Sequence, residues 1–181
     1  DGSRGDGFGA IQEQTMTVSV NGIAHIHLTV NRPGISLPFW ERLCHFLDMR
    51  TLLRNDDSLY CIGSRTGILI RAAPPEKRDA VFDQDTVGLH HLCFRARSAA
   101  DVDEIARFVT EELAAVIIHP PEPGPQFAPG YYSFLFADPD GIRVEFNYVP
   151  GAGHFGAGGR LGPGGAGPAD SYGNDGLGDG G

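Results

Sequence analysis

Imidazole and carboxylate side chains recur at strand spacing in three apolar stretches of the chain. His25 and His27 lie in "GIAHIHLTV", His91 in "GLHHLCFRA" and Glu145 in "GIRVEFNYV". Neutral imidazoles with one carboxylate suit a single divalent Fe, Mn, Ni, Co or Zn ion and leave coordination positions open for substrate or water. The same residue types transfer protons near neutral pH.

Which of these side chains share a face follows from the period of two in a strand. In the first stretch Ile26, Leu28 and Val30 form an apolar set, which leaves His25, His27 and Thr29 on the opposite face. In the second, Leu92, Phe94 and Ala96 are the apolar set, so His91, Cys93 and Arg95 lie opposite them. Of the adjacent pair His90 and His91, His91 is therefore the functional candidate. In the third, Ile142, Val144 and Phe146 alternate with Arg143, Glu145 and Asn147. A carboxylate among apolar neighbours is costly to bury unless something positive meets it. A metal held by His25, His91 and Glu145 would meet it.

The elements that must position these residues form an internal repeat. "GIAHIHLTV" from Gly22 and "GLHHLCFRA" from Gly88 align without a gap and pair His25 with His91. Each copy precedes a helical segment and three strand-like segments. The first helix is "SLPFWERLCHFLDM", with Phe39, Leu43, Phe46 and Leu47 at helical spacing, followed by "RTLLR", "SLYCIGS" and "GILIRAA". The second is "SAADVDEIARFVTEELA", with Val102, Ile105, Phe108, Val109 and Leu113 on one face and Ser98 or Asp101 as its cap. "AVIIHP", "YYSFLFADPDG" and "IRVEFNYVP" complete the set. The predicted order is βαβββ, twice, an α+β fold.

Composition bounds the function classes. With 181 residues, 41% hydrophobic and 20% charged, the chain supports one domain with a real core. A net charge of −9 argues against a broad basic surface for nucleic acid or anionic membrane. No apolar run has the length of a membrane span, and "DGSRGDGFGAIQEQ" lacks a signal peptide's basic and apolar regions, so a cytoplasmic protein is expected. Cys44, Cys61 and Cys93 read as free thiols of a reducing compartment. Residues 1–15 read as a flexible segment, 16–150 as the domain, with modules at about 22–75 and 88–150, and 151–181 as a Gly-rich flexible tail.

The repeated βαβββ pattern, the two histidine strands and the closing "DPDGIRVEF" together resemble the vicinal oxygen chelate superfamily. That superfamily includes glyoxalase I, extradiol dioxygenases, fosfomycin-resistance thiol transferases, methylmalonyl-CoA epimerase and bleomycin-binding proteins. The resemblance implies a bowl formed by two modules, with a metal on its floor chelated by neighbouring oxygens of a substrate. It matches the family's first His to His25, its second-module His to His91 and its final Glu to Glu145. It assigns His27 a pocket role as acid or base, being two positions beyond the ligand position. Relatives that dimerise or exchange modules leave open whether the ligands come from one chain or from a homodimer.

Aligning "GILIRA" from Gly67 with "GIRVEF" from Gly141 sets Arg71 opposite Glu145. Glyoxalase I and the epimerase supply a fourth ligand, a Glu, from this part of the first module. Arg cannot ligate a metal. Its guanidinium suits a substrate carboxylate or phosphate, with an ion pair to a nearby acid, including Glu145, as the competing use. Arg95 is a second candidate for substrate binding. The dioxygenases usually place a Tyr where this chain has Leu135. Tyr131 or Tyr132, facing opposite ways, offers one proton donor to the pocket. "HPPEPGPQFAPG" reads as a long loop, either a lid or a stiff crossover, and Cys93 as a small core residue.

The expected function is a metal-dependent enzyme, a glyoxalase-like lyase or isomerase acting on a small oxygenated metabolite that is anionic if Arg71 contributes. An extradiol-type dioxygenase is the alternative within the class. A non-catalytic antibiotic-binding protein is the alternative outside it.

Overall fold

The structure is a computed structural model and describes residues 18–151. The segments expected to be flexible, 1–15 and all of the tail beyond 151, lie outside the described residues. The first module runs β1 (His25–Val30), α1 (Pro33–Phe46), β2 (Arg50–Arg54), β3 (Ser58–Gly63) and β4 (Thr66–Ala72). After a single 3₁₀ turn at Pro75–Lys77 the second runs β5 (Leu92–Arg95), α2 (Ala99–Glu111), β6 (Val116–Pro123), β7 (Tyr132–Ala137) and β8 (Arg143–Tyr148). The βαβββ order read from the sequence is present in both.

Each module is a four-stranded mixed sheet, ordered β1-β4-β3-β2 in the first and β5-β8-β7-β6 in the second. β1 pairs in parallel with β4, and β5 with β8, while the remaining pairings are antiparallel. The strands carrying His25 and following His91 are thus edge strands.

Helix α1 begins earlier than its apolar spacing suggested, because Pro33 sits at the start of the helix, where its missing N–H costs nothing. Ser98 caps α2, its Oγ accepting from the Asp101 N–H at 3.0 Å. β6 extends through Pro123, so the first five residues of the expected loop are strand. Pro120, Pro121 and Pro123 are tolerated because β6 is an edge and its pairing with β7 slips twice, between Ile117 and His119 and between His119 and Glu122.

Both helices pack into one core with both sheets. Leu37, Trp40, Leu43, Val102, Val109, Phe136 and Phe146 are buried in it, each no more than 1% exposed. Phe46 of α1 stacks on Phe108 of α2 at 3.9 Å, and Phe39 lies 6.3 Å from Phe136 of β7. The indole of Trp40 donates to the buried Asp138 carboxylate at 2.8 Å, which ties α1 to the turn after β7. Each sheet turns its apolar side to this common core, so its polar face points away from the core.

That turn, "DPDG", is held by Asp138, whose Oδ1 accepts from the N–H groups of Asp140 at 2.9 Å and Ile142 at 2.8 Å. Gly141, at φ +88°, supplies the left-handed residue of the turn that leads into β8. Burial pushes the Asp138 carboxyl up to about 6, against the opposing pull of the Trp40 and backbone N–H groups.

Candidate functional site

On the open face of the second sheet Glu145 gathers the polar groups. His91 Nε2 lies 3.1 Å from its Oε2, with the His91 side chain 36% and the Glu145 side chain 16% exposed. The Tyr131 hydroxyl donates to Glu145 Oε1 at 2.6 Å and accepts from Asn147 Nδ2 at 3.1 Å. Burial alone would raise the Glu145 carboxyl. Hydrogen bonds from His91, Tyr131 and Ser133 outweigh it and hold the group below its ordinary value. Burial and the neighbouring carboxylate push the Tyr131 hydroxyl up, so it remains a donor.

His90 has a part in this arrangement that strand alternation did not reveal. Its Nδ1 lies 2.7 Å from Nδ1 of His91, and the rings meet edge to face. One of the two nitrogens must donate and the other accept. With His91 Nε2–H donating to Glu145, the lone pair of the neutral imidazole is at Nδ1, where it accepts from Nδ1–H of His90.

The loop before β7 positions Tyr131. Gly124 N–H donates to the Tyr131 carbonyl at 2.9 Å, and the Phe127 ring lies 5.0 Å from the Tyr131 ring. A Cβ at Gly124 would stand 2.8 Å from the Tyr131 ring. Tyr132, facing the other way, donates to Asp103 of α2 at 2.7 Å, so only Tyr131 reaches the open face.

His27 and Arg71 lie on the open face of the other sheet, where they line a cleft of about 500 Å³ with Leu69. Arg71 does not pair with Glu145. His25 is exposed at the start of β1. Two of the three expected metal donors therefore converge, and His25 does not join them within one chain. Among the described residues no three His, Cys, Asp or Glu side chains form a group that could hold a metal. Arg95 is exposed on the Glu145 face, in register with Asn147.

Strand register corrects the equivalence of Arg71 with Glu145. In the first module His27 is paired with Leu69, and Arg71 with Thr29. In the second, Cys93, the counterpart of His27, is paired with Glu145. The first-module counterpart of Glu145 is thus Leu69. A hydrocarbon side chain, and not a second carboxylate, therefore stands at the first-module position equivalent to Glu145.

Two further residues on the Glu145 face escaped the sequence reading. Across the second sheet Cys93, Glu145, Leu135 and His119 lie in one row. His119 was hidden because the bulges beside it break the alternation of β6. Asn147 was visible as an outward residue of β8, but only its bond to Tyr131 shows its use. Cys93 is exposed on this face and is not a core residue. Its surroundings and Glu145 beside it push the thiol up, which leaves no reactive thiolate. Cys44 and Cys61 are buried free thiols.

Comparison with known proteins agrees with this architecture. A family profile for the Glyoxalase/Bleomycin resistance protein/Dioxygenase superfamily matches residues 22–146. A protein assigned as a glyoxalase from Bacillus halodurans is 23% identical, with a TM-score of 0.62 over 71% of this chain and 96% of its own. A glyoxylase/bleomycin resistance protein/dioxygenase domain from Frankia sp. is 25% identical, with a TM-score of 0.59 over 76% and 98%. Lactoylglutathione lyase from Agrobacterium tumefaciens is 22% identical, with a TM-score of 0.51 over 71% and 94%. No curated protein sequence matches the chain.

Proposed function

The chain belongs to the Glyoxalase/Bleomycin resistance protein/Dioxygenase superfamily, and on that premise we propose that it is a metal-dependent enzyme acting on a small oxygenated metabolite. Its site would be completed between two copies, with His91 and Glu145 from one chain and His25 from the other. The observation that carries this reading is the His91–Glu145 pair at 3.1 Å, oriented by His90 and Tyr131 on an open sheet face. The donor chemistry fits a divalent ion. A second copy is invoked because His25 does not join His91 and Glu145 among the described residues of one chain, and a two-fold partner would bring a first-module face to a second-module face.

Bound there, a divalent ion would act as a Lewis acid on a carbonyl, hydroxyl or enolate oxygen. The chain's own residues hold the remaining roles. Tyr131 and Ser133 hold Glu145 below its ordinary value, and the Nδ1 contact with His90 orients the His91 ring. His27, exposed in the first-module cleft, is the group suited to moving a substrate proton. Arg71 and Arg95 would orient substrate from the two faces. Lyase or isomerase chemistry is favoured over ring cleavage because Leu135, only 9% exposed, pairs with Glu145 where the dioxygenases usually place a Tyr.

A second reading, a non-catalytic small-molecule binder, is favoured by one observation. The Glu145 carboxylate is met by hydrogen-bond donors of the protein itself, from His91, Tyr131 and Ser133. Metal-to-protein ratios for Fe, Mn, Ni, Co and Zn, measured after anaerobic reconstitution, separate the two. Near one ion per chain in the wild type, lost in His91→Ala, supports the enzyme. No ion in the wild type supports the binder.

A further inference from the structure

We propose that the first-module cleft is an anion-binding subsite in which Arg71 and Arg78 together take the carboxylate or phosphate group of a small metabolite. The inference deepens the reading above by naming a substrate class, and it rests on that reading only in taking the bound anion to be the substrate.

The cleft, about 500 Å³, is of the size that small-molecule sites use. Two guanidinium groups and one carboxylate, Asp57, line it. Two positive charges and one negative give the arginines and Asp57 of the lining a net +1, on a chain whose net charge is −9. A local positive charge on an acidic protein selects small anions, while the rest of the surface repels large polyanions.

The two arginines are not alike. Arg78 Nε donates to the Ala73 carbonyl at 2.9 Å, which anchors the guanidinium, while its Nη2 lies 3.8 Å from an Asp57 carboxylate that is itself 72% exposed. The Arg71 guanidinium has no ion pair or hydrogen-bond partner among the described residues. Its in-register neighbour on β3 is Ser58, which also lines the cleft. A preset guanidinium, a second one with its donors uncommitted and a hydroxyl beside it form a donor set for an oxyanion. Leu53, Leu69 and Pro74 supply apolar wall for a short carbon skeleton, and His27 closes the side nearest β1. The ligand class is therefore a small organic anion, with the acid group at Arg71 and Arg78.

Calorimetric titration of chelator-treated protein with inorganic phosphate, with malonate and with neutral malonamide tests this directly. Wild type should bind at least one of the two anions and not malonamide, and whichever anion binds identifies the acid group. Arg71→Gln and Arg78→Gln should each weaken that binding by about tenfold or more, as loss of a charge-assisted hydrogen bond requires. Arg71→Lys, which keeps the charge without the fork, should fall between. Binding of neither anion by wild type, or equal binding by wild type and both Gln variants, overturns the inference. Because the titration uses metal-free protein, its outcome is separate from metal loading: bound metal without anion binding removes only this inference, and anion binding without metal removes only the enzyme reading.

Discussion

Replacing Tyr131 with Phe removes one hydroxyl from the Glu145 cluster and leaves the ring packing against Phe127 in place. The lost bond is short, 2.6 Å, and runs to a carboxylate whose side chain is 16% exposed. A hydrogen bond to a charged group of this kind contributes about 1.5–3 kcal/mol. The contribution depends on pH. Glu145 is held below its ordinary value of 4.5 in the folded protein, so the associated stability is present above that value and is lost as pH falls through the folded one. Urea unfolding of wild type and Tyr131→Phe should differ by about 1.5–3 kcal/mol near neutrality, and the gap should narrow as the carboxyl protonates in acid. A parallel NMR titration of the Glu145 side-chain carbon should show its pKa rising in the variant. An equal loss of stability at every pH, with no change in the Glu145 titration, would mean that Tyr131 only packs.

Other consequences follow from the core and the turn after β7. Trp40→Phe should cost about 1.5–3 kcal/mol by urea unfolding near neutrality, because the buried Asp138 carboxylate loses a donor, and less in acid, where that carboxyl is neutral. Asp138 titrates upward, from 3.8 to about 6, so its share of stability is full below 3.8 and is lost as pH rises to about 6. At 1.36 kcal/mol per unit this amounts to about 3 kcal/mol, and wild type should lose stability relative to Asp138→Asn across that range; parallel curves would contradict it. Gly67→Ala should destabilise the first module, since the new Cβ would stand 2.7 Å from the Tyr60 ring, and a thermal midpoint equal to wild type would show that the ring moves aside freely.

Much of the fold was legible because it rests on local periods. The alternation of Leu28 and Val30 with His27 and Thr29, and of Val144 and Phe146 with Glu145, assigned faces that the burial of these strands reproduces. The separation of Tyr131 from Tyr132 followed from the same rule. Register was not legible. The offset that sets Leu69, and not Arg71, level with Glu145 arises from how β4 and β8 pair with β1 and β5, and nothing within a single strand encodes it. The separation of His25 from His91 was hidden for a related reason: it is set by how α1 and α2 pack into one core with both sheets, a tertiary choice that the βαβββ repeat leaves open. β6 was misjudged in part because prolines mark a loop unless the strand is an edge.

The central claim is that His91 and Glu145 of one chain bind a metal together with His25 of another, and mixing two defective variants tests it most directly. Neither His25→Ala nor Glu145→Gln alone should retain metal. Unfolded together and refolded as a mixture, they should form mixed dimers in which one chain supplies His25 and the other His91 and Glu145, restoring about one intact site per mixed dimer. Recovered metal, measured by elemental analysis of the mixed dimer, is the expected result. A mixed dimer as empty as either parent, beside a wild type that binds metal, would contradict the shared site.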